Sequence, residues 1–345
     1  MSKKNLIYVD EKSGIPLFGV DFLGIIDRGT NIIEIKPITI CNLKCKYCFV
    51  SAGDYETNFI VDIDYLLKNI QELVKIKGAH DLEVHIAPYG EALLHPHIFE
   101  LIKKVKDIKG IEIVSMQSNG ILLSEDIIKK LEDSNLTRIN ISVNTFNRNL
   151  AEKLCGCSYY NIENMLKNIE LLLESSINVL LAPVWFPGKN DKDIEDIIKY
   201  VIAFRQKGYS DKKIQLGIQK YLVYKTGRKL KNVRPKSWDY FYRQLSKLEK
   251  KYSIKLKLGP KDFGIHRRAR IKMPVFQKGH KINVKIISKG RWNWEAIGKI
   301  DENSGIKVLF KRPLTFSENL IGKIYNVLII KANYRDNIIT SLLSI

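Results

Sequence analysis

Three of the chain's five cysteines, Cys41, Cys45 and Cys48, fall within eight residues of the stretch ITICNLKCKYCFV (38–50). Their spacing is C-x3-C-x2-C, directly after an apolar run that reads as a strand. Thiolates are soft ligands, and three on one loop can hold three irons of a [4Fe–4S] cluster, leaving the fourth iron without a protein ligand. An open coordination position marks a reactive metal site rather than a structural one. Zinc is the alternative, and it needs a fourth donor such as His85 or His95. Structural zinc sites usually pair two C-x2-C-like knuckles, and a second knuckle is missing here.

The first residues, MSKKNLIYVDEKSG, place no apolar core behind their lysines, so they do not read as a signal peptide. No apolar run approaches the roughly 18 residues that span a bilayer. A cytoplasmic, reducing setting is expected, in which clustered cysteines are ligands or reactive thiols rather than disulfides. The net charge is +20, and residues 266–345 hold 16 Lys and Arg against 5 Asp and Glu. Such a field attracts polyanions, nucleic acid first among them. A lysine-rich solvated surface is the plainer account of the same charge.

The elements that must position the cysteines alternate. Strands are predicted at 32–37, 82–87, 111–116, 138–143, 178–184 and 213–218. Helix-period segments lie at 61–76, 97–108, 124–134 (capped by Ser124), 161–176 and 191–204. Six strands alternating with helices predict a parallel α/β sheet with right-handed crossovers, whose chemistry sits at the strands' C-terminal ends. Past residue 220 comes a basic irregular connection, KYLVYKTGRKLKNVRPK, then a helix at 237–253. Beyond residue 266 strands dominate: 281–288, 291–300, 305–311, 321–332 and 337–343. These suggest a small OB-like barrel. Three segments are expected: 1–31, an extension with a possible hairpin; 32–265, the α/β unit; and 266–345, a basic β-domain.

With Tyr47 in the aromatic place, the cysteine motif resembles C-x3-C-x-aromatic-C of the radical S-adenosylmethionine (SAM) superfamily. The resemblance covers about residues 32–220 and implies a partial (β/α)6 TIM-type barrel that binds a [4Fe–4S] cluster and SAM. It implies that SAM's amino and carboxylate groups chelate the open iron, and that one-electron reduction yields methionine and a 5′-deoxyadenosyl radical. That radical abstracts hydrogen from the substrate; the protein orients the cofactor and excludes competing reactions. Gly90-Glu91 matches the Gly-Glu pair for SAM's ammonium, with Tyr89 in place of the first of the two glycines the family often has. Ser118 and Asn119 match the turn after the third strand, Ser142 and Asn144 the ribose segment after the fourth, and Val184 the segment flanking the adenine. His95 and His97 are expected to help start a helix rather than bind metal.

Cys155 and Cys157 either serve catalysis near the barrel mouth or are two small half-buried residues at a helix start. They are too few for a second cluster, which sets the chain apart from the superfamily's multi-cluster branches. The last 65 residues resemble the TRAM-like or OB-type modules that several RNA-modifying radical SAM enzymes carry. Within them, Trp292, Trp294 and Ala296 are expected on one strand face, and Arg291, Asn293 and Glu295 on the other. The tryptophan face either stacks on bases or fills the barrel core. Arg267, Arg268, Arg270 and Lys272 crowd one stretch and, with Arg291, are expected to meet phosphate; a solvated linker is the alternative for the stretch. The expected function is therefore radical modification of RNA, tRNA or rRNA, with an electron donor such as ferredoxin or flavodoxin. Neither DNA nor membrane is expected as a partner. The alternative substrate is a protein side chain or a small cofactor precursor.

Overall fold

β1 (Asn5–Val9), β2 (Gly24–Asp27) and β3 (Ile32–Lys36) precede the cysteine loop, and β4 (Thr57–Val61) and α1 (Ile63–Lys77) follow it in the computed structural model. Residues 5–311 and 313–343 are described; the first four residues of the basic N-terminal stretch, Arg312 and the last two residues lie outside them. The chain continues through β5 (Leu82–Ile86), α2 (Ile98–Lys106), β6 (Ile111–Ser118), α3 (Glu125–Asp133), β7 (Arg138–Ile141) and α4 (Arg148–Cys155). Then come α5 (Ile162–Glu174), β8 (Asn178–Leu181), β9 (Val184–Trp185), α6 (Asp191–Gln206), β10 (Ile214–Leu216), β11 (Gln219–Lys220) and α7 (Trp238–Tyr252). Five strands close the chain: β12 (Lys281–Lys289), β13 (Glu295–Lys299), β14 (Gly305–Phe310), β15 (Ile324–Asn333) and β16 (Ile338–Leu343).

The main sheet has the order β10-β8-β7-β6-β5-β3-β2. Its six strands from β3 to β10 are parallel, while β2 joins β3 antiparallel at the edge. β1 pairs in parallel with β4 in a separate two-stranded sheet. Alternation explains the layers. Ile33, Ile35, Val84, Ile86, Val114, Met116, Ile139 and Ile141 are fully buried in the core shared with the helices. The neighbouring positions carry polar groups that meet across strands. Lys36 pairs with Glu34, and Arg138 Nη2 donates to Glu83 (2.6 Å). The partial barrel therefore has a polar interior.

The C-terminal strands form a closed barrel in the order β12-β13-β14-β16-β15, with β14 and β16 parallel and Val284, Ile286, Ile306, Val308 and Ile329 in its core. One detail of the sequence reading is corrected. Residues 291–294 form a turn, and β13 begins only at Glu295. Arg291 and Glu295 are consequently not open strand positions; they are a buried pair at 2.9 Å.

The barrel is fixed to the α/β unit. Ile297 of β13 belongs to the main core, not the barrel core. Gly305 N donates to Phe18 O (2.8 Å), Ile339 N to Gly19 O (3.1 Å), and Lys307 Nζ to both carboxylate oxygens of Asp21 (2.8 Å each). Gly19 has φ +97°, and a Cβ there would overlap the Gly305 carbonyl. Gly19→Ala is therefore expected to cost about 1–3 kcal/mol, the usual range for forced backbone strain. A thermal melt that matches wild type would show that this contact does not hold the barrel. No described helix is long and apolar enough to cross a membrane.

Candidate active site

The loop after β3 is shaped by successive backbone turns: Cys48 N donates to Cys45 O, and Ser51 N to Cys48 O (3.2 Å each). Two outside segments clamp it. The end of α4 does so through Lys46 N to Leu154 O (2.8 Å). The basic connection after β11 does so through Arg228, whose amide donates to Cys48 O (2.8 Å) and whose Nε donates to Cys45 O (2.6 Å). Arg228 Nη2 also reaches Ala52 O (2.7 Å), and the guanidinium pairs with Asp54.

The five cysteines are free and gather at this loop. Burial pushes the Cys41 thiol up to about 12 and raises Cys48 as well. Cys45 is shifted down, first by a hydrogen bond with Cys155 and then, against its burial, by Tyr47 and Arg228. The same hydrogen bond, with burial, holds Cys155 protonated. Cys155 is thus the last residue of α4 and backs Cys45, rather than standing at a helix start. Cys157 follows it, half-buried, past the left-handed Gly156 that ends the helix.

The SAM candidates converge. Gly90 runs so close to the cysteine strand that a Cβ would overlap Ile40 O, and Glu91 N donates to that same oxygen (2.8 Å). The buried Glu91 carboxylate accepts from Ser118 Oγ (2.7 Å), Asn119 N (2.7 Å) and Leu93 N (3.2 Å). Burial nevertheless raises its pKa, against the lowering by these three hydrogen bonds, a cost that a bound ammonium would offset. Asn144 Nδ2 donates to Tyr47 OH (2.6 Å), and Asn144 Oδ1 accepts from Val184 N (2.7 Å). Ser142 Oγ accepts from Gln117 Nε2 (3.1 Å). These groups lie at or beyond the C-terminal ends of β3, β5, β6, β7 and β8.

Asn42, Asn190 and Arg228 take part without a sequence signal, and Tyr89 contributes beyond its place beside the Gly-Glu pair. Asn42 accepts from Asn119 Nδ2 (2.8 Å) and Asn190 Nδ2 donates to Asn144 O (2.9 Å); a lone Asn gives no sequence signal. Arg228 lay in the basic connection without a spacing to single it out. Tyr89 sits beside the loop, under Lys36 Nζ (4.6 Å) and edge-on to Phe49 (6.1 Å).

The donor set suits an iron–sulfur group. Cys48 Sγ accepts from Ala52 N (3.3 Å), and the buried indole N–H of Trp292 has no partner while packing in the same group as Cys41 and Cys48. Among the described residues no three His, Cys, Asp or Glu side chains converge on one metal ion. The two histidines each use one ring nitrogen elsewhere: His85 Nδ1 is bonded to Ser115 Oγ (2.7 Å) and His95 Nε2 to Val61 O (3.0 Å). A [4Fe–4S] cluster takes one thiolate on each of three irons, and this loop carries three cysteines in C-x3-C-x2-C spacing.

The expected phosphate contacts fare unevenly. Arg267 and Lys272 are exposed, and Arg270 is exposed but donates to Tyr334 O (2.7 Å). Arg268 lies against His80, with Nη2 to Nδ1 at 2.8 Å. The stretch is no free linker, since Ile271 N donates to Asp27 Oδ2 (2.8 Å), which also pairs with buried Lys77. Arg291 is withdrawn as a phosphate contact. It is 3% exposed, its guanidinium spans Glu295 and lies over Phe22, and no anion can reach it from solvent.

A sheet with six parallel strands, a three-cysteine loop at the end of the first of them and a Gly-Glu turn at the end of the second define a radical SAM site. The family model of the radical SAM superfamily matches residues 35–201. An uncharacterized protein of Methanocaldococcus jannaschii is 34% identical over 360 residues, covering 99% of this chain and 81% of that one. The chain belongs to the radical SAM superfamily, whose members use a [4Fe–4S] cluster and SAM. A GTP 3′,8-cyclase of Aquifex aeolicus is 28% identical over 176 residues, 51% of this chain; the alignment spans about half of the cyclase, 54%. In fold, the chain is similar to HydG, a maturase of the [FeFe]-hydrogenase, with a TM-score of 0.51 at 13% identity over 69% of this chain and 52% of that one. Cys41, Cys45 and Cys48 are the residues that would hold the cluster, and Glu91, Asn119, Asn144 and Tyr47 those that would line the place for SAM. When bound, the pair supplies a carbon-centred radical able to take hydrogen from an unactivated C–H bond.

Proposed function

We propose that this enzyme modifies RNA, tRNA or rRNA, and that a one-electron donor such as ferredoxin or flavodoxin reduces it. The observation that carries the substrate is the basic connection itself. Residues 220–236 contain no Asp or Glu, and Lys225, Lys229, Lys231, Arg234 and Lys236 are exposed. The segment is bonded to the cysteine loop through Arg228, and Lys46 is exposed on that loop. A row of exposed cations, none in an ion pair among the described residues, suits a substrate that carries many phosphates. Within this reading Cys157, beside Tyr159 at the end of α4, is the thiol placed to act on substrate, while Cys155 supports Cys45.

The similarity to a GTP 3′,8-cyclase favours a second reading, a free nucleotide as substrate. One experiment separates them. The reconstituted protein is titrated with labelled tRNA and rRNA fragments, with and without excess GTP, at several salt concentrations. Nanomolar-to-micromolar RNA binding that weakens steeply with salt and ignores GTP is expected. Displacement of RNA by stoichiometric GTP would replace the first reading by the second. Modified nucleosides from cells with and without the gene should differ by one species.

A further inference from the structure

Barrels of the OB type bind oligonucleotides on the face of their second and third strands. Here those strands are β13 and β14, and that face is occupied. Ile297 is buried in the core of the α/β unit, Gly305 bonds Phe18, and Lys307 is spent on Asp21. The barrel's opposite face is open. Along β12 the outward positions are Lys281, Asn283 and Lys285; along β15 they are Ile324, Asn326 and Leu328, all six exposed. They sit directly opposite one another: Lys281 against Leu328, Asn283 against Asn326, Lys285 against Ile324. Asn326 Nδ2 donates to Asn283 Oδ1 (3.0 Å), which leaves further amide donors and acceptors in the centre of the face.

The charge on this face is one-sided. Neither β12 nor β15 contains an acidic residue. Lys278, Lys323 and Lys331, all exposed, border the same two strands. None of the five lysines makes an ion pair among the described residues, whereas Lys307 and Arg291 of the same barrel do. The strand also has a direction. From Lys281 to Lys289, β12 runs about 26 Å at 3.3 Å per residue, and its end enters the turn whose Trp292 packs edge-on against Tyr55 (5.4 Å) in the group with Cys41 and Cys48.

We propose that the outer face of β12 and β15, not the β13–β14 face, holds the sugar-phosphate backbone of the RNA and leads it toward the cysteine loop. The lysines meet phosphates, the Asn283–Asn326 pair meets ribose hydroxyls or base edges, and Ile324 and Leu328 lie against sugar or base faces. This proposal rests on RNA being the substrate.

The test is the full-length variant Lys281→Glu with Lys285→Glu, beside an Arg267→Glu/Arg270→Glu variant, each titrated with labelled tRNA from 50 to 300 mM salt. The strand variant is expected to bind at least tenfold more weakly, with a salt slope smaller by about one to two, as loss of two phosphate contacts on single-stranded RNA implies. Its melting curve, iron content and SAM affinity should match wild type, because both side chains are exposed and unpaired. If wild type binds RNA in a salt-dependent way and the strand variant binds equally well, this face is wrong while the RNA reading stands. If wild type binds no RNA at any salt concentration, the substrate reading falls and takes the face with it.

Discussion

Cys45→Ala is expected to leave the reconstituted protein without a full complement of iron and sulfide, and to drop release of 5′-deoxyadenosine from SAM to the reductant-only background. Cys155→Ala should keep both. The two thiols are hydrogen-bonded to each other, yet they are not equivalent. Cys45 is drawn toward its ionised form by the Cys155 hydrogen bond, by Tyr47 and by Arg228, whereas burial and the same bond keep Cys155 protonated. What divides the roles is position: Cys45 stands in the C-x3-C-x2-C loop, and Cys155 is the last residue of α4. Cys45 also lies on the loop that Arg228 grips at the Cys45 and Cys48 carbonyls, and Cys155 lies on the helix end beneath it. The measurement is iron and sulfide per chain together with product release. Full iron and normal 5′-deoxyadenosine in Cys45→Ala would end the assignment of this loop as the cluster site. Loss of iron in Cys155→Ala alone would make that cysteine the ligand instead.

Much of this site could be read in the sequence because its parts recur at a fixed place, the C-terminal end of each strand. The strands themselves were visible as β-branched runs between helix-period segments; β3, β5, β6, β7 and β8 begin at the predicted residues and β10 one beyond. What escaped had its partners far away in the chain. Arg228 bonds a carbonyl 183 residues earlier, and Arg28 bonds Asp336 308 residues later. No local period announces such a contact. α4 was lost for another reason: its eight residues are too few to show a period, though the Asn147 cap and the left-handed Gly156 do mark its ends. The turn at 291–294 read as a strand because W-N-W-E alternates; the buried pairing of Arg291 with Glu295 across four residues breaks that alternation.

That pairing carries the second large expected effect. Arg291→Ala should cost about 3–5 kcal/mol, because it leaves the Glu295 carboxylate buried without its partner. Both side chains are almost fully buried, at 4% and 3% exposure, and the contact is bidentate, Nε to Oε1 at 3.0 Å and Nη2 to Oε2 at 2.9 Å. Burial lowers the guanidinium's pKa, but Glu295 and Asp21 overcome it and raise the net value, so Arg291 stays charged. The consequences extend beyond the barrel. The Arg291 carbonyl accepts from Glu56 N (3.0 Å) and Thr57 N (3.1 Å), and the guanidinium lies 5.3 Å from the Tyr55 ring and 5.8 Å from the Tyr89 ring. Tyr55 in turn donates to Val50 O (2.9 Å) at the end of the cysteine loop, and Tyr89 precedes Gly90-Glu91. Arg291→Ala should therefore melt earlier and also retain less iron after reconstitution, although no ligand has been touched. Removing residues 276–345 should do so more severely, since it uncovers the surface around Phe18 and Asp21 as well and takes away Trp292, which packs in the group with Cys41 and Cys48. Replacing the pair together, Arg291→Met with Glu295→Leu, should recover much of the melting temperature by removing both buried charges. A truncated protein that stays soluble and binds iron as wild type does would refute this coupling, and an Arg291→Ala variant with an unchanged melt would do the same for the buried pair.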